Sequence, residues 1–336
     1  MTPPLLSPGW IDLQVNGFGG INLSAGDLQP EQVCALSALL LCEGVTHWCP
    51  TLITGPNPRI SNAIRAILQA RRADRRVRAA LLGIHLEGPY ISPLDGFRGA
   101  HPKADVRPPD WAEFSRWQEQ AEGFIRIVTL APEVTGAMPF IQRAAASGMV
   151  VGIGHSNATA DEIRAAVDVG ARFSTHLGNG MSAQIHRHHN PLWPQLAEDR
   201  LYAGAICDGF HLPPDFMQVL YRVKGKTRLI LTSDVTHLAH LPPGVYETEI
   251  GGKVELHPNG KLTLYGSADY LAGSASSLKD CLQIALARLA IPLEDALEMV
   301  TTTPRALLGL GPSTATTQFT WNPERGELTV LGTESK

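Results

Sequence analysis

Two histidines, two carboxylates and one polar strand have the types and spacing to do chemistry in this chain. His155 closes a β-branched run at 149–154, and His176 closes a second run at 171–175. Between them, 159–169 carries Ile163, Ala166 and Val167 at helical spacing, with Asn157 and Thr159 as cap candidates. A strand–helix–strand step of this kind lays its two strands parallel. Both imidazoles then sit at the C-terminal ends of neighbouring strands, the face on which α/β barrels build their sites. Glu87 follows the apolar run 79–86, and Asp234 follows 228–232. Together, Glu87, His155 and His176 form an N₂O set suited to Zn²⁺ or a similar divalent ion, with a fourth position open. Such an ion lowers the pKa of bound water from ~15.7 to around 7. Asp234, across the mouth, could take that proton and return it to a leaving amine. Taken singly, each residue has a plainer reading: a packed histidine, a salt-bridge partner at Glu87, a turn cap at Asp234. Four such readings at four strand ends are a poorer account than one site.

The elements that must position these residues follow a β-then-α rhythm. Strands are expected at 8–15, 45–53, 79–86, 124–130, 149–154, 171–175, 203–207 and 228–232. Helices are expected at 30–43, 57–72, 109–120, 136–146, 159–169 and 213–222. Asp12, Gln14 and Asn16 alternate along the first strand and so share one face, which suits a barrel mouth better than a core. Eight such steps make a TIM-like (β/α)₈ barrel, with an open doubly wound sheet as the alternative. After 232 the rhythm changes to a β-meander at about 244–266 with Gly-Gly and Asn-Gly turns, its first strand at 245–250. Helices return at 274–289 and 293–301. The barrel is expected over 8–310, and 317–334 reads as a C-terminal hairpin of a small, reduced β-rich accessory region.

Composition narrows the class. The 336 residues are 44 % apolar and 18 % charged, with a net charge of −4. That is a soluble globular chain with material for a large core. The basic pairs Arg71–Arg72 and Arg75–Arg76 read as the solvated face and exit of one helix, which excludes nucleic acid as the main partner. No run approaches a membrane span, and the first ten residues read as no signal peptide. The five cysteines lack a CxxC pair and fall in apolar segments, as reduced core thiols of a cytoplasmic protein would.

The segments HLEGPY, GHSNAT, STHLGNGM, ICDGFHLPP, LTSDV and LAGSASSL, in this order, resemble the amidohydrolase superfamily. Within it they resemble the N-acetylglucosamine-6-phosphate deacetylase family, over roughly 9–308. The resemblance implies metal-dependent hydrolysis of the acetamido group of an N-acetyl amino sugar. Glu87, His155 and His176 would bind one divalent metal ion, with zinc expected, and Asp234 would be the general base and acid. Gln14 and Asn16 stand where other amidohydrolases carry a histidine pair for a second metal. The same match puts His101, in GFRGAHP, near the acyl carbonyl, and Asn179, Gly180, Arg187 and His211 on the sugar and its phosphate. Three departures stand out. The family usually carries about fifty residues before its first barrel strand. The phosphate-loop segment here reads IHRHHNP, and Asp234 is followed by Val-Thr-His. The expected partner is a small amino-sugar substrate, with a homodimer compatible with the match. Two other readings stand beside this one: an amidohydrolase of another N-acyl or cyclic amide, and a catalytically silent sugar-binding barrel.

Overall fold

The computed structural model describes residues 3–248, 252–268 and 270–334. Eight strands run parallel to their neighbours in one sheet: Trp10–Val15, Val45–Ile53, Ile84–Glu87, Ile125–Leu130, Val150–Ile153, Ala171–Ser174, Tyr202–Ile206 and Leu229–Thr232. The two ends of the sheet meet. Val15 bridges Val235, and the Asn16 N–H donates to the Val235 carbonyl at 2.9 Å. This closure makes a TIM-like barrel and excludes the open sheet.

The first strand departs from strict alternation. Its register against the second shifts twice, between Trp10 and Ile11 and between Asp12 and Val15. Asp12 therefore leaves the face expected for it and turns into the seam with the eighth strand. There its carboxylate accepts from the hydroxyls of Thr232 (2.8 Å) and Ser233, and from the Gln14 N–H at 3.2 Å. Gln14 and Asn16 do reach the mouth.

Helices cover the barrel through stripes at helical spacing. Asn57–Ala73, for example, buries Ile60, Ala63, Ile64, Ile67 and Leu68. Inside the barrel, Ile11, Leu13, Cys49, Ile127, Val150, Phe173 and Ile230 form an apolar plug with Leu307 and Leu308. Arg126 and Arg172, near the starts of the fourth and sixth strands, donate to the carbonyls of Leu308 and Leu307. The plug therefore fills the N-terminal end of the barrel, opposite the strand ends that carry the histidines.

Several elements differ from the sequence reading. Residues 79–80 belong to a short helix, Arg75–Ala80, capped by Asp74, so the third strand starts only at Ile84. Residues 274–277 are extended, because Ser277 caps the helix Leu278–Arg288 through a capping box with Asp280. The helices Leu192–Ala197 and Thr302–Leu307 were not anticipated. Neither was Leu5–Pro8, which pairs antiparallel with Thr316–Asn322 and completes a three-stranded sheet with Glu327–Glu334. The meander forms as Gly244–Thr248, Gly252–Leu256 and Leu262–Leu264, while 249 and 250 lie outside the described residues. Among the cysteines, Cys49, Cys207 and Cys281 are buried, but Cys42 is exposed. No described helix is long and apolar enough to cross a membrane.

Candidate functional site

The polar strand ends converge. Glu87 Oε1 lies 2.7 Å from His176 Nε2 and 3.2 Å from His155 Nε2. His155 Nε2 in turn faces His101 Nε2 at 3.1 Å. Glu87 and His176 are 2 % exposed, His101 6 % and His155 7 %, so bulk water screens none of these groups.

The backbone aims these side chains by an unfavourable turn. His155 (φ 53°), His176 (φ 31°) and Asp234 (φ 49°) all adopt the left-handed region, which side-chain-bearing residues rarely occupy. They are half of the six non-glycine residues that do so among those described. Each lies two residues beyond the end of a barrel strand, so the chain turns sharply and swings the side chain toward the barrel axis. Strain of this kind, of order 1–3 kcal/mol per residue, is typical of functional sites.

Neighbouring groups fix each ring. His155 Nδ1 is 3.1 Å from the Phe97 carbonyl, which holds the proton on Nδ1 and frees Nε2 for a ligand. Gly99 and Gly180 close over the same ring. A Cβ on either would fall 2.9 Å from His155 Cε1 or 2.8 Å from its Nδ1. His101 Nδ1 meets Thr54 Oγ1 at 2.7 Å. Gln14 Nε2 donates to Glu87 Oε2 at 2.9 Å, and Asn16 Nδ2 donates to Asp234 Oδ1 at 2.7 Å. These two amides thus orient the two carboxylates of the site, a function beyond marking an empty second-metal position.

The electrostatics separate the two carboxylates. Burial alone would push the Glu87 carboxyl up, but His155 and His176 reverse this and hold it well below the usual range. Burial opposes charge on His176, yet the bond to Glu87 wins and raises the ring to about 9. His101 is driven well below 6.5 by burial and then by His155, so it stays neutral. Asp234 moves the other way. Burial and the negative charge of Glu87 push it up to about 7. Widely separated carboxyl affinities are the pattern of acid–base chemistry near neutral pH.

Glu87, His155 and His176 fit a divalent cation. Their ligand atoms lie within 4.8 Å of one another, and they are the only such group of three among the described residues. His176 Nδ1 is buried without a partner, the Nε2 atoms of His155 and His176 crowd one carboxylate oxygen, and His101 Nε2 faces that of His155. A shared cation satisfies such donors better than protons do.

The remaining expected residues are placed less uniformly. The Asn179 N–H closes a turn onto the His176 carbonyl at 2.9 Å, and its Nδ2 is buried without a partner. It borders, with Gly180 and His155, a cavity of about 20 Å³. His211 is held by Asp208 at 2.6 Å. Arg187 is exposed on a loop whose own groups satisfy it: His186 Nδ1 accepts the His188 and His189 N–H groups, and Trp193 donates to the Arg187 carbonyl. Among the described residues, no hydrogen bond or ion pair joins that loop to Glu87, His155 or His176. Sequence reading missed Thr54, Phe97 and Glu133. Glu133 accepts from Ser156 Oγ (2.8 Å) and the Asn157 N–H (2.6 Å), pinning the turn after His155. Its signal was available, since it is a carboxylate just beyond the fourth strand, as Glu87 is at the end of the third.

No protein-family model matches the chain. Curated relatives do. The chain is 34 % identical to N-acetylglucosamine-6-phosphate deacetylase of Bacillus subtilis (strain 168) over 270 residues, covering 78 % of this chain and 67 % of that one. It is 33 % identical to N-acetylgalactosamine-6-phosphate deacetylase of Escherichia coli O157:H7 over 307 residues, 91 % of this chain and 78 % of that one. Among solved structures, it is similar to N-acetyl-D-glucosamine-6-phosphate deacetylase from Mycobacterium smegmatis in complex with N-acetyl-D-glucosamine-6-phosphate. The TM-score is 0.87 at 28 % identity, covering 99 % of this chain and 86 % of that one. With this barrel, and at this identity over this much of its relatives, the chain belongs to the N-acetylglucosamine-6-phosphate deacetylase family.

Proposed function

We propose that the protein hydrolyses the acetamido group of an N-acetyl amino-sugar 6-phosphate, N-acetylglucosamine 6-phosphate first among them, to acetate and the free amino sugar. The observation that carries this reading is the convergence of Glu87, His155 and His176, with Asp234 facing them on its own amide support. Glu87, His155 and His176 would hold one divalent ion, and two imidazoles with a carboxylate suit zinc best. When bound, such an ion activates water and polarises the amide carbonyl.

The chain's own residues supply the rest. Asp234 would accept a proton from the attacking water and deliver it to the departing nitrogen, a task matched to its raised affinity. Asn16 holds the Oδ1 of that carboxyl and so leaves Oδ2 for the proton. Neutral His101, backed by Thr54, would present a donor edge to the carbonyl oxygen as charge develops there. Asn179 offers an unpartnered amide N–H beside His155 for the sugar, and His211 and Arg187 are the candidates for its phosphate. A silent sugar-binding barrel has no use for strained backbone at His155, His176 and Asp234. Five cysteines without a disulfide suit a reducing, cytoplasmic setting.

Acetate release from N-acetylglucosamine, N-acetylgalactosamine and their 6-phosphates tests the reading. Turnover should be fastest on a phosphorylated sugar, and the epimer pair decides between the two substrates that the relatives' names carry. Turnover confined to unphosphorylated sugars would remove the phosphate from the proposal. No acetate from any of the four would refute the reading.

A further inference from the structure

The loop after the seventh strand holds a buried carboxylate that the chemistry above does not use. Asp208 is 3 % exposed. Its Oδ1 accepts the N–H groups of Phe210 and His211, both at 2.8 Å, and its Oδ2 lies 2.6 Å from His211 Nδ1. Burial alone would raise the Asp208 carboxyl, but the His211 ring and these N–H groups outweigh it and keep the group ionised.

An asparagine would close the same turn through its Oδ1 without burying a charge. The charged oxygen is needed only for the ring. It compels His211 to carry a proton on Nδ1, leaving Nε2 as the ring's one uncommitted polar atom. That atom makes no protein hydrogen bond among the described residues. The strand that leads to this loop, Tyr202–Ile206, pairs on one side with the strand that leads to His176 and on the other with the strand that leads to Asp234, so His211 follows a strand end at the same mouth. Asp208 touches the ring, and the Arg288 guanidinium lies beside the same loop at Gly209. With Asn at 208, an amide N–H would face Nδ1 and expel its proton. In that variant the ring could not carry protons on both nitrogens.

We infer that Asp208 is a positioning residue for anion recognition: it holds His211 through Nδ1–H so that the outward Nε2 can bring a second, charge-assisted N–H to an anionic oxygen of the substrate. This rests on the proposed phosphorylated substrate, and it goes further by naming the group that makes His211 fit for it. The geometry is a carboxylate behind the ring at Nδ1, with Nε2 on the opposite side of the ring. A carboxylate accepts the Nδ1–H in a charge-assisted bond that a neutral acceptor does not provide.

The test is ¹⁵N-resolved NMR of the His211 ring in the full-length wild-type protein and in Asp208→Asn, with inorganic phosphate as the probe and His211→Ala for assignment. In wild type, Nδ1 should be protonated, and phosphate should drive Nε2 to the protonated range as well. In Asp208→Asn the Nδ1 proton should be lost, along with the phosphate response. Kinetics provide the second arm. Asp208→Asn should raise KM for N-acetylglucosamine 6-phosphate by roughly 10- to 150-fold, the scale of one charge-assisted hydrogen bond, while kcat changes far less. Added to His211→Ala, it should bring no further loss. An unchanged ring spectrum in Asp208→Asn, or a loss that adds in full to that of His211→Ala, overturns the inference. Should the wild-type protein release no acetate from any amino-sugar phosphate, the proposed function falls, and the ring spectrum with its phosphate response still decides the role of Asp208.

Discussion

The two ends of the barrel solve opposite problems with the same eight strands. At the C-terminal end, polar side chains are buried at close quarters, the backbone is held left-handed at three positions, and Gln14, Asn16 and His176 each leave a buried polar atom unpartnered. At the N-terminal end, aliphatic and aromatic side chains interlock around Phe173, and arginines donate to the Leu307 and Leu308 carbonyls where the helix Thr302–Leu307 ends. That helix end, with its negative dipole, is where cations are best placed. One end gives up stability for a cluster of donors awaiting a ligand. The other end keeps the barrel closed. The difference teaches that chemistry and stability should respond separately to substitution.

The largest break in that comparison should come from His176→Ala at the mouth. It removes one of the three proposed metal ligands and leaves Glu87 without its nearest partner. Elemental analysis should find the ion lost and acetate release at background, while Tm in the presence of chelator stays close to wild type. Leu307→Ala at the floor should do the reverse. Truncating a fully buried leucine costs about 2–5 kcal/mol, read by denaturant unfolding, with kcat unchanged under conditions where the protein is folded. A smaller effect is expected from Gly180→Ala. The added Cβ would meet His155 Nδ1 at 2.8 Å at a residue whose φ is +59°. The shifted ring should weaken metal affinity by about 10- to 100-fold, the range seen when groups orienting a ligand are disturbed, which a competition titration would measure.

The smallest effect sharpens the comparison through pH. His47 lies near Arg305 at the floor, and burial followed by that charge lowers its ring from 6.5 to about 4. As pH falls through 6.5 the unfolded chain takes a proton that the folded chain refuses until about 4. Stability therefore declines across that window, by about 1–3 kcal/mol after allowance for the ring's partial exposure. His47→Gln should flatten the fall in Tm between pH 7 and 4.5. An unchanged slope would mean that the floor does not feel this histidine.

How legible all this was in the sequence depends on range. Strand ends with a histidine or carboxylate after an apolar run were readable, because a polar residue at such a place has few structural excuses. The strand Val45–Ile53 was expected with the bounds it has. Leu5–Pro8 escaped because its pairing partner lies some three hundred residues away and nothing local marks it. Asp12 was assigned to the wrong face because a bulge cannot be seen in alternation alone. Thr54 and the Phe97 carbonyl carry no motif, since a hydroxyl and a backbone oxygen gain meaning only when the fold brings a ring to them. The turn of the loop around Arg187 was equally hidden: His186 Nδ1 accepts two N–H groups of its own segment and Arg187 stays exposed, a local arrangement that no motif announces.

The central claim, that Asp234 moves the proton while Glu87, His155 and His176 hold the ion, is tested most directly by acetate release from N-acetylglucosamine 6-phosphate by metal-loaded Asp234→Asn. Asparagine keeps the size of the side chain and an acceptor for Asn16, but it cannot take up a proton. The account predicts one ion per chain, as in wild type, and turnover lower by about 10²- to 10⁴-fold. Turnover near the wild-type rate with the ion in place would contradict it.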